Sequence, residues 1–277
     1  MKQRRQGKRS FAASALALRG AVLVYVALLV LIPVIALLFV GLEGGLGNVW
    51  KALSSPIAAA SVLLTLWTSA VAAVVVTVMG TLTAWVLVRY RFPGRRLLSA
   101  LVDLPLSIPT LVVGMAILAM LGPNTLLGAS LEPMGFKVAF AHPGILLALA
   151  IVALPFPVRA VEPVLMELDP AEEEAAATLG ATRATTVLRV LLPPLLPAIL
   201  SGVMQAFSRC IAEFGSVVVV SGNISHKTLT APVYLFGEVE AGRPAVAAAV
   251  AVALLAVALA STGLSRFLEH VALRRRD

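Results

Sequence analysis

Asp169-Pro170-Ala171-Glu172-Glu173-Glu174-Ala175-Ala176-Ala177-Thr178-Leu179-Gly180-Ala181-Thr182-Arg183, continuing to Val190-Leu191-Leu192-Pro193-Pro194, is a polar, helix-forming stretch with one glycine break between long apolar runs. Asp169 can cap a helix, Pro170 suits its first position and Glu172 stands at capping-box spacing. Glu172, Glu173 and Glu174 fall in the first turns, where the helix dipole favours negative charge. Alanines carry the helix to Leu179, and Gly180 ends it in the left-handed conformation that glycine adopts without strain. Thr182 can cap a second helix reaching Leu192, before Pro193, Pro194 and Pro197 turn the chain away. The reading predicts two short helices meeting at an angle, in a loop of about 165–193.

The flanking runs are of bilayer length. Of 277 residues, 60% are hydrophobic and only 13% charged, and the mean hydropathy is +0.97, outside the range of soluble globular domains. A span needs about 20 apolar residues. Six segments qualify: 21–41, about 57–88, about 97–121, about 143–164 (interrupted by Pro155 and Pro157), about 195–220 and about 245–264. Prolines in the third to fifth spans mark expected kinks, because each removes a helical hydrogen bond and crowds the preceding turn.

Basic residues give the orientation. Lys2, Arg4, Arg5, Lys8, Arg9 and Arg19 precede the first span. Arg89, Arg91, Arg95 and Arg96 lie between spans two and three; Arg159, Arg183 and Arg189 belong to the 4–5 connection; Arg266, Arg274, Arg275 and Arg276 follow the sixth. The opposite loops hold Lys51, Lys137, Lys227 and Arg243. By the positive-inside rule both termini and the 4–5 loop face the cytoplasm. The +8 net charge therefore reads as membrane anchoring, not nucleic-acid binding. The first run is too long for a signal-peptide core and lacks a small-residue cleavage site, so it reads as an uncleaved span. The organisation expected is a basic tail at 1–20, one transmembrane domain at 21–265 and a basic tail at 266–277.

Glu174-Ala175-Ala176, Gly180, Val190 and Leu192-Pro193 are in register with the EAA loop of ATP-binding cassette (ABC) importer permeases, and the chain resembles that family. The resemblance implies an all-α membrane protein of the type I importer permease fold, with six transmembrane helices and a cytoplasmic EAA coupling-helix loop. It implies that Glu174, Ala175, Ala176, Gly180, Leu192 and Pro193 couple the spans to an ATPase. No Gly-x-x-x-x-Gly-Lys-Ser/Thr phosphate loop occurs in the chain, so the implied ATP and magnesium belong to separate ATPase subunits. This chain is expected to be a transport subunit with no cofactor or catalytic site of its own.

Other segments are similar to the sulfate/thiosulfate group of these permeases, and one of them, Pro155 to Leu165, resembles its T-type subunit more than the W-type partner. They are Arg89-Tyr90-Arg91-Phe92-Pro93-Gly94-Arg95-Arg96, Leu101 to Thr110, Pro155 to Leu165, Ser208 to Val217 and Ser221-Gly222-Asn223-Ile224. The chain departs from the family's common glycine at Ala212 and its common amide at Glu162. The implied assembly is a T-type and a W-type permease, two ATPase subunits and a periplasmic sulfate-binding protein, in a bacterial inner membrane. A molybdate or tungstate permease is the near alternative, and a stand-alone anion carrier or channel the distant one.

Arg209 and Glu213 are charges inside the fifth apolar run, where each costs about 2.5–3.5 kcal/mol unless paired or facing water. Four residues apart, they are expected on one helix face, roughly 20–30 Å along the helix from Pro194 at about 1.5 Å per residue. Two readings stand open: a self-neutralising structural pair, or a gate beside Ser208 in which Arg209 attracts divalent oxyanions. Asp103 is an interfacial residue or a partner for Arg159. His142, His226 and His270 show no metal-ligand spacing, and Cys210 reads as a small packing residue.

Overall fold

The computed structural model describes residues 2–274, with side chains described for 18–268. The basic side chains noted at 2–9 and 274–276 lie outside those described. The elements are helical: α1 (Lys2–Gly41), α2 (Leu46–Leu53), α3 (Pro56–Arg89), α4 (Arg95–Ser107), α5 (Thr110–Leu121), α6 (Leu126–Leu131), α7 (His142–Ala153), α8 (Pro155–Glu167), α9 (Pro170–Thr178), α10 (Arg183–Thr186), α11 (Leu192–Ile211), α12 (Gly215–Val220), α13 (Ala231–Glu240) and α14 (Pro244–Arg274). A 3₁₀ turn follows α6 and a π-helical turn, Val187–Leu191, joins α10 to α11.

Among the described residues, five helical stretches are long and apolar enough to cross a membrane: Leu18–Gly41, Pro56–Arg89, His142–Glu167, Arg183–Ile211 and Pro244–Leu268. A bent pair, α4 with α5, makes six if it counts as one span.

The centre of the bundle is where α3, α7–α8 and α11 meet. One cluster joins Ala72, Ala73 and Val76 of α3 to Ile145, Leu149 and Ala153 of α7, Ala206 and Cys210 of α11, and Val217 of α12. A second joins Ala84 and Leu87 to Val102, Val158, Val161, Leu165, Leu195 and Ala198. The buried face of α3 is built of small residues, among them Ala58, Ser61, Thr65, Ser69, Ala72, Ala73 and Gly80. In a bilayer such residues let backbones approach, since apolar area gives no advantage there over lipid. The hydroxyls they bring into the core turn back on their own helix: Thr65, Thr68 and Thr77 donate to the carbonyls of Ser61, Leu64 and Ala73 at 2.7–2.8 Å.

The helix α14 packs on α11 through a polar seam, with Ser201 and Ser265 hydroxyls 2.8 Å apart and Ser261 donating to the Met204 carbonyl at 3.0 Å. Outermost is α1, which lies against α14 and presents Leu23, Leu29, Ile32 and Phe39 outward.

The prolines act differently from the sequence expectation, and from each other. In the third span Ile108 and Pro109 are both extended (ψ 134° and 130°), so α4 and α5 diverge by 110° rather than forming one kinked rod. In the fourth, α8 follows α7 directly and His142–Glu167 reads as one span, with Pro155 at the start of α8. At 192–194 the second loop helix was expected to end. Instead helix continues from Arg183 to Ile211. The Leu192 amide donates five residues back, to the Val187 carbonyl, and the widened turn makes room for two rings that lack an N–H. The fifth span also stops short: α11 ends at Ile211, residues 212–214 are not helical, and α12 is a separate piece.

Candidate functional site

The loop between α8 and α11 forms the predicted elbow. The Asp169 carboxylate accepts from the Ala171 amide at 2.9 Å and Pro170 occupies the first turn, so α9 starts as its sequence requires. It ends in a Schellman arrangement: the Gly180 amide donates to the Ala177 carbonyl and the Ala181 amide to the Ala176 carbonyl, both at 3.0 Å. Gly180 has φ +83°, the left-handed value this motif demands. Thr182 then caps α10, its hydroxyl accepting from the Thr185 amide at 3.2 Å. The spacing from Ala176 to Gly180 is thus fixed by one backbone motif.

No residue of α9 is buried. Glu174, Ala175 and Gly180 are exposed, Ala176 is half-buried, and Leu179 stands 88% exposed at the corner. At the far end Pro193 is exposed and Leu192 half-buried. Because α10 runs through the π turn into α11 without a break, the elbow is continuous with the fifth span. The three adjacent glutamates differ. Glu172 and Glu174 face outward, whereas Glu173 turns toward Arg89, the last residue of α3, with Oε1 2.5 Å from Nη2. Sequence reasoning missed this tie, because 84 positions separate the partners and neither carries a local signature.

Beside it, Arg159 of α8 gathers the α4 end of the third span. Its guanidinium pairs with Asp103, Nε to Oδ1 at 2.9 Å, donates to the Ser99 hydroxyl at 3.0 Å and contacts Glu162. The expected Asp103–Arg159 pairing is present, but Arg159 sits on α8, not in the connection after it. Glu162, at a position where an amide is common in the resembling family, closes the network.

Arg209 and Glu213 are together but not on one helix face. Arg209 is in the last turn of α11, while Glu213 lies in the break, its side chain 2% exposed. One carboxylate oxygen meets Arg209 Nη2 at 2.7 Å; the other accepts from the amide and hydroxyl of Ser216 at 2.9 and 2.8 Å. Glu213 therefore satisfies an amide in the first turn of α12 as well as neutralising Arg209, whose side chain stays 28% exposed. Ser208 turns to the sixth span instead, its hydroxyl 3.2 Å from that of Thr262 and 3.3 Å from the Ala258 carbonyl.

The breaks of the third and fifth spans lie against each other. A Cβ on Gly114 of α5 would meet the Ser216 carbonyl at 2.5 Å, and one on Gly215 would meet Thr110 Oγ1 at 2.3 Å and the Leu111 amide nitrogen at 3.0 Å. Irregular backbone at membrane depth is tolerated where protein buries it or where it lines a watery cavity, and broken helices are where transporters place their sites. Outside the spans, Arg243 bonds Glu238 at 2.6 and 3.0 Å and holds that carboxyl below its ordinary range against the opposing effect of burial.

Bundle and elbow together define the class, a multi-pass helical membrane permease. Residues 76–276 match the family described as binding-protein-dependent transport system inner membrane component, and the chain belongs to that family. It is 43% identical over 217 residues to the sulfate transport system permease protein CysT of Synechococcus elongatus, covering 78% of each chain. It is 40% identical over 240 residues to the protein of the same name in Escherichia coli, covering 87% of each. A bacterial ABC transporter involved in the import of alginate superposes with a TM-score of 0.74 over 99% of both chains at 19% identity, a likeness of fold. The fold is that of type I ABC importer permeases.

Proposed function

We propose that this chain is the T-type permease subunit of an ATP-driven sulfate/thiosulfate importer, forming half of the translocation pathway. The observation that carries the coupling role is the exposed α9–Gly180–α10 elbow, continuous through α11 with the fifth span. Glu174, Ala175, Ala176 and Gly180 on the elbow, with Leu192 and Pro193 at its far end, form the surface that receives an ATPase subunit. ATP and magnesium are held by that subunit. Identity of 40% and more to permeases named for sulfate, over most of the chain, supports sulfate as the cargo. The other partners are a W-type permease, a second ATPase subunit and an extracytoplasmic sulfate-binding protein. Both termini and the elbow face the cytoplasm, a reading supported by the excess of basic residues on that side; the domain at 21–265 spans the inner membrane between two basic tails.

Within this reading Arg209 is the anion-attracting group of a gate at the junction of the two broken spans. Glu213 limits how tightly that gate holds a divalent oxyanion, and Ser208 orients the helix by its bond to the sixth span. The test of the whole is uptake of labelled sulfate, thiosulfate and molybdate by vesicles holding the chain with its three kinds of partner. Uptake of sulfate that needs ATP and is not shared by molybdate supports the reading. Uptake by the chain alone, without an ATPase, contradicts it. Arg209→Ala that leaves sulfate uptake and assembly intact removes the gate assignment.

A further inference from the structure

The elbow is attached to the membrane body along the chain at both its ends, through residues 168–169 to α8 and through the π turn to α11. Within the loop α9 packs chiefly on α10 and that π turn. The Arg89–Glu173 contact adds an attachment that does not follow the chain. Arg89 ends the 34-residue α3, whose buried face runs the length of the core. Its guanidinium lies 5.6 Å from the centre of the Trp85 ring, within reach of a cation–π attraction that fixes its direction. The two side chains are 19% and 31% exposed. Nε, Nη2 and Glu173 Oε1 are shielded from solvent, and Nη2 and Oε1 meet as a charge pair. With both side chains partly shielded, removing one partner takes from the other its nearest opposite charge.

We infer that Arg89 and Glu173 form a strut that carries displacement of α9 directly into α3, in parallel with the path through α11. Resting on the permease reading above, this makes both residues positioning residues for coupling; Glu174 next door faces outward to the motor. Three of the helices that meet in the core would then be driven from one loop: α8 and α11 through the chain, and α3 through the charge pair. Glu173 is the residue that gives the loop a grip on a helix to which it has no covalent neighbour.

The test uses the complete importer in vesicles and reads sulfate moved per ATP hydrolysed for Arg89→Gln, Glu173→Gln and the exchanged pair Arg89→Glu with Glu173→Arg. Each single variant is expected to keep ATP hydrolysis while lowering sulfate per ATP about ten-fold, the size of one ordinary pairwise coupling. The exchanged pair should restore most of it. A residue that merely stabilises the fold would lower both rates together. Unchanged stoichiometry in the singles, or no rescue in the exchanged pair when the complex assembles normally, overturns the strut. A second measurement is independent of transport: amide hydrogen exchange across 170–178 in the intact chain should speed up about ten-fold in Glu173→Gln. If the unmodified complex moves no sulfate, the proposed function fails, and the exchange experiment still decides the strut; unchanged exchange overturns it.

Discussion

At Gly180 the chain turns between α9 and α10 with nothing within 4 Å of where a Cβ would stand. At Ile108–Pro109 and Ala212–Phe214 it also turns, but there the neighbouring backbones of α5 and α12 press to within one missing methyl group. The outer bend is held by its own amides and one left-handed residue. The inner bends are held by each other and by a carboxylate with three donors. A bend held only by local geometry can be pushed as a unit by a partner without disturbing the core. A bend held by tertiary contact moves only when its neighbour moves, as the proposed gate requires.

The sharpest way to break this contrast is at Glu213. Its removal in Glu213→Ala strands Arg209 and two Ser216 donors and should cost about 3–5 kcal/mol, as for other broken buried pairs. Thermal survival of the detergent-extracted chain measures it. Next is Gly215→Val, whose side chain must push Thr110 and the backbone of α5 aside; overpacking of this kind costs about 1–3 kcal/mol and is read the same way. Gly180→Val, in open space, should cost less, about 1–2 kcal/mol for the left-handed backbone, with the loss confined to faster hydrogen exchange in 170–186. If Gly180→Val destabilised the core more than Gly215→Val, the division into an outer and an inner bend would collapse. The smallest effect belongs to Glu238 on α13. Since Arg243 lowers its folded-state pKa, the pair stabilises the fold above the ordinary carboxylate range and ceases to do so as pH falls through the depressed value. The stability difference between the unaltered chain and Glu238→Gln should therefore be present at neutral pH and vanish in acid.

The outer bend was legible because everything that makes it is local: Asp169, Pro170, Gly180 and Thr182 each act on amides within a few positions. The inner bends were not. Apolar counting ran straight through 195–220 because the break at 212–214 contains no proline and only one charge. The bonds from Ser216 to Glu213 that hold this break follow no start signal of the usual kind, since the capping pattern runs from Ser or Thr to Glu and not the reverse. Prolines misled in the other direction. Pro193 and Pro194 ride on a π turn and Pro155 opens a helix, while at Pro109 the chain bends sharply because Ile108 before it is also extended. No local pattern distinguishes these cases; the packing around each residue does. The same holds for Arg89 and Glu173, which only the folded chain brings together, whereas for Asp103 a pairing with Arg159 was one of the two readings its place near the membrane interface allowed.

One experiment reaches the central claim, that motion enters through the elbow. Vesicles containing the complete importer are loaded with ATP, and sulfate accumulation and ATP hydrolysis are followed together for the unaltered chain and for Gly180→Val. With α9 and α10 no longer held at their native angle, sulfate accumulation should fall well below that of the unaltered complex while the ATPase subunits stay bound and α3, α7, α8 and α11 keep their packing. Full accumulation at an unchanged cost in ATP, in a complex shown to be assembled, would contradict the account.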